Sequence, residues 1–220
     1  MKIPLSTRLK ACAEFVNPGD RIADIGCDHG YLSIYLLHNK IASFAIAADV
    51  NKMPLQSAKQ NAEKFGYQDQ MSFHLSDGTK NIPQDFDVMI CAGMGADTII
   101  SILTEAPWLK NTKYRLILQC QSKTPMLRKY LSDNGWRINA EHVLRDGRFL
   151  YTVMNICFAP DTPGLTNVQC YITPALLRDH SEQVEEYCNW IIEGLRMQTK
   201  HRNDPQLTAI LKDLTKEDIN

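Results

Sequence analysis

Several things are missing from this 220-residue chain, and each removes a class of explanation. No apolar run reaches membrane-spanning length, which argues against a transmembrane helix. The opening Met1-Lys2-Ile3-Pro4-Leu5-Ser6 lacks the apolar core of a secretory signal, so a cytoplasmic protein with no membrane partner is expected. Seven cysteines are scattered singly with no Cys-x-x-Cys pair; reduced thiols are expected, with neither a disulfide framework nor a bound metal. A net charge of −1 excludes a globally basic nucleic-acid binder. Finally, the Gly-x-Gly-x-x-Gly turn of dinucleotide-binding folds is absent.

What is present is the composition of a soluble globular protein, 44% hydrophobic and 22% charged. Apolar periodicity organises it. Ser6 can cap a first helix carrying Leu9, Cys12, Ala13 and Val16, stopped by Pro18-Gly19. Strands are expected at 21–25, 43–48, 71–75, 87–92 and 115–120. Helical patterns lie between them, including one started by Pro54 and ended at Gly66, and one capped by Thr124 ahead of Pro125. Five alternations of strand and helix predict a parallel sheet with helices on both faces. The pattern then changes: 136–144 and 149–158 are strand-like and joined by Arg145-Asp146-Gly147-Arg148, a hairpin signal. Asp161-Thr162-Pro163-Gly164 reads as a linker. Beyond it Leu177, Val184, Tyr187, Ile191 and Leu195 share a helical face, and Asn203-Asp204-Pro205 starts a second helix bearing Leu207, Ile210, Leu211 and Leu214. A two-helix hairpin is expected there.

The first strand ends in Ala23-Asp24-Ile25-Gly26-Cys27-Asp28-His29-Gly30-Tyr31, and the second in Asp49. A glycine turn lets a ligand approach the backbone, and a strand-terminal acid accepts from ribose hydroxyls. Asp24 and Asp28 flank the place where a pyrophosphate would lie, and like charges repel. A cationic nucleoside fits better. S-adenosyl-L-methionine carries a sulfonium, an ammonium and an adenosine, and the turn is read as a site for it. A parallel sheet closed by an antiparallel hairpin, the class I methyltransferase arrangement, agrees independently.

Each candidate has a functional and a bland role. Asp24 can hold the methionine ammonium or cap a helix. Asp49 can bind ribose or end a strand in solvent. Asp77-Gly78 can bind the adenine amino group or form a plain turn. Cys91-Ala92-Gly93-Met94-Gly95-Ala96 should lie beside the methyl group. It lacks the Asn/Asp-Pro-Pro-aromatic pattern of exocyclic-amine methylation, which leaves a ring nitrogen as nucleophile. Such a nitrogen needs alignment more than deprotonation. Asp28 is the candidate to orient the base or stabilise charge, with helix capping as its alternative, and Gln119 is a further polar group at the same edge. Tyr31 can stack on a base or wall the pocket; His29 is read as structural. From Lys110 to Arg148 nine basic residues face three acids, an excess of six that a polyanion could use or that distant acids could offset.

These motifs resemble the bacterial tRNA adenine-22 N1-methyltransferases. The resemblance runs through Leu5-Ser6-Thr7-Arg8-Leu9, Asp24 to Leu32, Asp77-Gly78, Ala92-Gly93-Met94-Gly95, Leu127-Arg128 and Gly135-Trp136. It implies an α/β, Rossmann-like class I methyltransferase domain over residues 1–160 and a helical, coiled-coil-like extension over 161–220. The implied cofactor is S-adenosyl-L-methionine and the implied partner tRNA, with the chain a monomer or weak homodimer. The cofactor contacts expected are Arg8, Asp24, Gly26, Cys27, Asp28, Asp49, Val50, Asp77, Gly78, Ala92 and Gly93. Asp28 and Gln119 are the catalytic candidates; Tyr31, Met94, Lys123, Arg128 and Lys129 are the substrate-binding ones. A methyltransferase of another RNA or a small molecule, or a non-catalytic module binding cofactor or RNA, is the alternative expectation.

Overall fold

The computed structural model describes residues 3–216. In chain order they form α1 (Thr7–Ala13), β1 (Asp20–Ile25), α2 (Tyr31–His38), β2 (Ala42–Asp49), α3 (Lys52–Phe65), β3 (Met71–Leu75), β4 (Val88–Met94), α4 (Ala96–Glu105), β5 (Arg115–Cys120), α5 (Thr124–Asp133), β6 (Trp136–Asp146), β7 (Phe149–Phe158), α6 (Glu182–His201) and α7 (Pro205–Lys216). The strands make one sheet in the order β3-β2-β1-β4-β5-β7-β6. The first five are mutually parallel; β7 runs antiparallel to both β5 and β6. This is the Rossmann-like class I methyltransferase sheet.

Period-two alternation explains the two cores. Ile22, Val88, Ile90 and Ile117 face one side, where Cys12, Ile34, Leu36 and Ala58 cover them. Their neighbours Ala23, Met89, Cys91 and Leu118 face the other, under Ile99, Leu103, Leu127 and Leu131. Strands buried on both faces carry almost no polar residue, as β4 illustrates. The chain leaves β1 for β2 on one flank and reaches β4 on the other. The strand order therefore reverses between β1 and β4, and a crevice opens at their carboxyl ends.

The structure revises several expected boundaries. The helix read from Pro54 starts at Lys52, because Asp49 Oδ1 accepts from Asn51 N at 2.8 Å and turns the chain early. Pro54 sits in the first turn, where its missing N–H has no intrahelical partner to lose. Thr124 is the first helical residue of α5 and not its cap; Lys123, at φ 58°, holds the cap position. Strands β6 and β7 reach the two-residue turn Gly147-Arg148, with Gly147 at φ +61°. Leu177 is not on α6 but in a 3-10 turn at Leu176–Arg178, where Thr173 Oγ1 accepts from Leu176 N at 3.0 Å. The two tail helices pack against each other. Val184, Tyr187 and Leu195 of α6, with Ile210 and Leu214 of α7, form a third cluster over Val143 and Leu150 of the hairpin. Among the described residues no helix is long and apolar enough to cross a membrane.

Candidate active site

The turn after β1 is built by its own backbone. Gly26, at φ +74°, and Cys27 both donate to Ala48 O of β2, at 2.8 and 2.9 Å. Asp28 also lies in the left-handed region, at φ 49°, and its N–H donates to Asp49 Oδ2 at 3.2 Å. A left-handed non-glycine residue carries strain and is held here by the hydrogen bonds around it. Asp49 is buried and accepts one backbone N–H on each oxygen, from Asn51 and Asp28. A carboxylate has about four lone-pair positions, so it retains acceptor capacity for a ligand.

Asp24 is buried, and its Oδ2 accepts from Ser33 Oγ of α2 at 2.8 Å. Burial pushes its carboxyl up to about 6, partly opposed by the Ser33 hydrogen bond and reinforced by Asp49 and Asp28. Neither Asp24 nor Asp28 caps α2: Gly30 holds that position with no side-chain bond. The Asp28 side chain is exposed, with Oδ1 3.7 Å from His29 Nε2.

Two cavities meet at Gly26. One of about 290 Å³ is lined by Arg8, Asp24, Cys27, Asp28, Ala92, Gly93, Gln119 and Gln121. The other, about 120 Å³, is lined by Val50, Asp77, Gly78, Met94 and Thr98. A Cβ on Gly26 would lie 2.4 Å from Met94 Cε, the mobile end of a flexible side chain, and the φ of +74° would strain any residue other than glycine there. A larger cavity of about 510 Å³, beside Trp136 and Arg178, lies toward the opposite end of the sheet, where β7 ends at Phe158. Ligands of open α/β sheets bind at the carboxyl ends of the parallel strands, which favours the Gly26 junction.

Residues 5–154 match the family described as "Methyltransferase domain". The chain belongs to this methyltransferase family. It is 34% identical to the tRNA (adenine(22)-N(1))-methyltransferase of Bacillus subtilis over 154 residues, which is 70% of this chain and 65% of that protein's length. The crystal structure of the B. subtilis M1A22 tRNA methyltransferase TrmK superposes with TM-score 0.81 and 27% identity, covering 98% of this chain and 96% of that one. Streptococcus pneumoniae Sp1610, solved in complex with S-adenosyl-L-methionine, superposes with TM-score 0.85 and 28% identity, covering 97% and 99%.

Within the methyltransferase domain, the structure gathers Arg8, Asp24, Gly26, Cys27, Asp28, Ala92 and Gly93 at one cavity and Val50, Asp77 and Gly78 at the other. Asp77 pairs with Lys80 Nζ at 2.5 Å, and Lys80 also reaches Glu105. Gln119 is fully buried; its Oε1 accepts from Gly93 N at 3.0 Å and its Nε2 donates to Cys120 O. Gly93, at φ +80°, falls where the β4–β5 register slips, which leaves its N–H free for that side chain. Gln119 therefore shapes the backbone beside the cavity. Tyr31 opens α2, 5.8 Å ring to ring from His29. Ser33, Gln121, Thr98 and Ser101 are site residues absent from the sequence-based set; only the placement of Thr98 and Ser101 one turn apart after the Gly-Met-Gly turn hinted at them.

Arg128 is a correction. Expected to meet substrate, it is fully buried. Its guanidinium donates to Glu141 Oε1 at 2.5 and 3.2 Å, and to the carbonyls of Cys170 and Tyr171 at 3.1 and 2.7 Å. Glu141 Oε2 accepts from Thr173 Oγ1, and Tyr187 of α6 completes the group. Arg128 thus ties α5 and β6 to the C-terminal segment and is out of reach of RNA. The basic excess around it is partly offset. Arg115 pairs with Asp20, Lys123 with Asp97, Lys129 with Asp133 and Arg145 with Glu186, so with Arg128 five of the nine cations have acid partners. Lys123 and Lys129 remain exposed.

Proposed function

We propose that this chain transfers the methyl group of S-adenosyl-L-methionine to N1 of adenine in tRNA, at the position 22 named for its Bacillus relative. The observation that carries the reading is the buried, charge-burdened Asp24 beside the Gly26 junction. Asp24 and Asp28 line one of its cavities and the buried Asp49 adds its charge to that of Asp24, while Arg8 is tied to Asp146 at 2.7 Å. Such a site disfavours a pyrophosphate and favours an ammonium and a sulfonium. The residues present therefore fit the cofactor, which supplies an electrophilic methyl carbon when bound.

Asp24 would hold the methionine ammonium and Asp49 the ribose hydroxyls; Asp77, paired with Lys80 here, would bind the adenine amino group. Gln119 positions Gly93, and Gly26 lies where the two cavities meet. The target N1 already carries its lone pair, so the protein contributes alignment. Methylation leaves the ring positive and the 6-amino protons more acidic. The exposed Asp28 carboxylate accepts a hydrogen bond from that amino group and stabilises the charge. Residues 1–160 carry the chemistry and 161–220 help to hold RNA. The protein works as a monomer or weak homodimer in the cytoplasm.

The test is to incubate the protein with tritiated cofactor and bacterial tRNA lacking adenine-N1 methylation, then to digest the RNA and identify the labelled nucleoside. Label in 1-methyladenosine, with a reverse-transcription stop at position 22, supports the reading. Cofactor binding without label on tRNA overturns the substrate assignment and favours another acceptor on the same fold.

A further inference from the structure

We propose that Arg148, Phe149, Tyr151 and Arg8 form a stacking ladder that holds an unpaired RNA base at the mouth of the cofactor cavity. The proposal rests on the tRNA reading above and adds the surface that presents the base.

The register puts the ladder in place. Thr152 of β7 pairs with Cys120, the last residue of β5. Phe149, Leu150 and Tyr151 therefore overhang the parallel strands, by about 10 Å at ~3.3 Å per residue. The hairpin tip stands over the edge where the cavity opens. Phe149 and Tyr151 lie two apart on one strand and so share a face.

The contacts run in an unbroken series. The Arg148 guanidinium lies 4.9 Å from the Phe149 ring centroid. The Phe149 and Tyr151 rings are 6.1 Å apart at 45°. The Arg8 guanidinium lies 5.7 Å from the Tyr151 centroid, and Arg8 lines the cavity shared with Asp24 and Asp28. Asp146, at the base of the turn, fixes Arg8 in that position. Two guanidinium groups thus bracket a pair of aromatic rings, Arg148 on the solvent side and Arg8 at the cavity.

The chemistry suits a nucleobase. Phe149 is 49% exposed, leaving a large apolar ring in water. Every base has a π face, and aromatic stacking with neighbouring guanidinium groups is a general way of holding single-stranded RNA. N1 lies on the edge that pairing occupies, so the target base must leave its helix and needs a surface to replace lost stacking. Arg148 is exposed and has no ion pair among the described residues, which leaves its charge available to phosphate.

The experiment compares the whole chain with Phe149→Ala, Phe149→Leu and Phe149→Trp in methyl transfer to tRNA, alongside calorimetry of cofactor binding. Alanine and leucine are expected to lower kcat/KM for tRNA by about 5- to 100-fold, and tryptophan to restore it. Cofactor affinity should be unchanged in all three. Phe149→Ala should leave the salt dependence of tRNA binding as it was, whereas Arg148→Ala should reduce its log–log slope by about one. A leucine variant as active as the parent overturns the ladder, because bulk would then suffice without a π face. If the parent chain binds cofactor and labels no tRNA, the substrate reading falls and takes the ladder with it. If the parent labels tRNA while all Phe149 variants match it, the ladder alone falls.

Discussion

Replacing Asp24 with asparagine should stabilise the cofactor-free fold as pH rises while weakening cofactor binding. In the folded chain burial raises the Asp24 carboxyl from 3.8 to about 6. Two units at ~1.36 kcal/mol each make ionising it in place cost about 3 kcal/mol above pH 6. A raised acid has its full stability below the unfolded value and loses it as pH climbs through the folded one. The burden is therefore small near pH 4 and complete by pH 8. The substituted asparagine keeps an oxygen for Ser33 and has no charge to bury. Its amide hydrogens carry a burial penalty of about 1–3 kcal/mol, but that penalty does not depend on pH. The stability difference, variant minus parent, should thus rise by about 2–3 kcal/mol between pH 4 and pH 8. Urea unfolding of both proteins across that range, without cofactor, measures it. Calorimetry at pH 8 should show cofactor affinity reduced about 30-fold or more, because a buried ammonium would lose its counter-charge. A stability difference flat in pH, or unimpaired cofactor binding, would refute the role given to Asp24.

Three further outcomes are expected. Gly26→Ala places a methyl group at φ +74° against Met94 Cε; strain of about 1–2 kcal/mol and a narrowed junction should lower Tm and weaken cofactor binding at least ~10-fold by calorimetry. Arg128→Met leaves Glu141 buried without its cation and should destabilise the fold by about 3–5 kcal/mol in chemical denaturation, with Arg128→Met/Glu141→Leu recovering part of the loss. Six of the seven thiols are buried, and burial raises Cys91 to about 12, so a thiol-specific reagent at pH 8 should label Cys157 first, with the buried thiols reacting only on unfolding.

Much of this molecule is legible in its sequence because the signals are local. Period-two apolar runs mark strands buried on both faces, and an acid at the end of each of the first three strands, with glycine beside it after the first and third, marks a ligand edge. Asp-Gly between two apolar runs marks the closing hairpin. Each depends on residues within about one turn or one strand of each other, where backbone geometry alone relates position to direction. From that, the fold class follows, as do Asp24, Gly26, Asp28, Asp77, Gly78 and Gly93 of the cavity lining. The resemblance to bacterial tRNA methyltransferases rests on the same local motifs.

Tertiary structure decided what charge does. On α5, Arg128 reads like any cation of an amphipathic helix; its burial follows from Glu141 on β6 and from two carbonyls more than forty residues downstream. Arg115 finds Asp20 across 95 residues, and Lys123 finds Asp97 across 26, so the charge of a basic segment in the sequence is partly offset in space. Likewise no local rule connects Ser33 to Asp24, or Arg8 to Tyr151 at the far end of the methyltransferase domain. The sequence by itself determined the strands, the turns and hence the edge at which chemistry occurs, because backbone preference acts over a few residues. Only the folded chain decided which charges are neutralised, which carboxylate is desolvated and which aromatic ring overhangs the site, because Coulomb interactions and burial act through space regardless of separation along the chain.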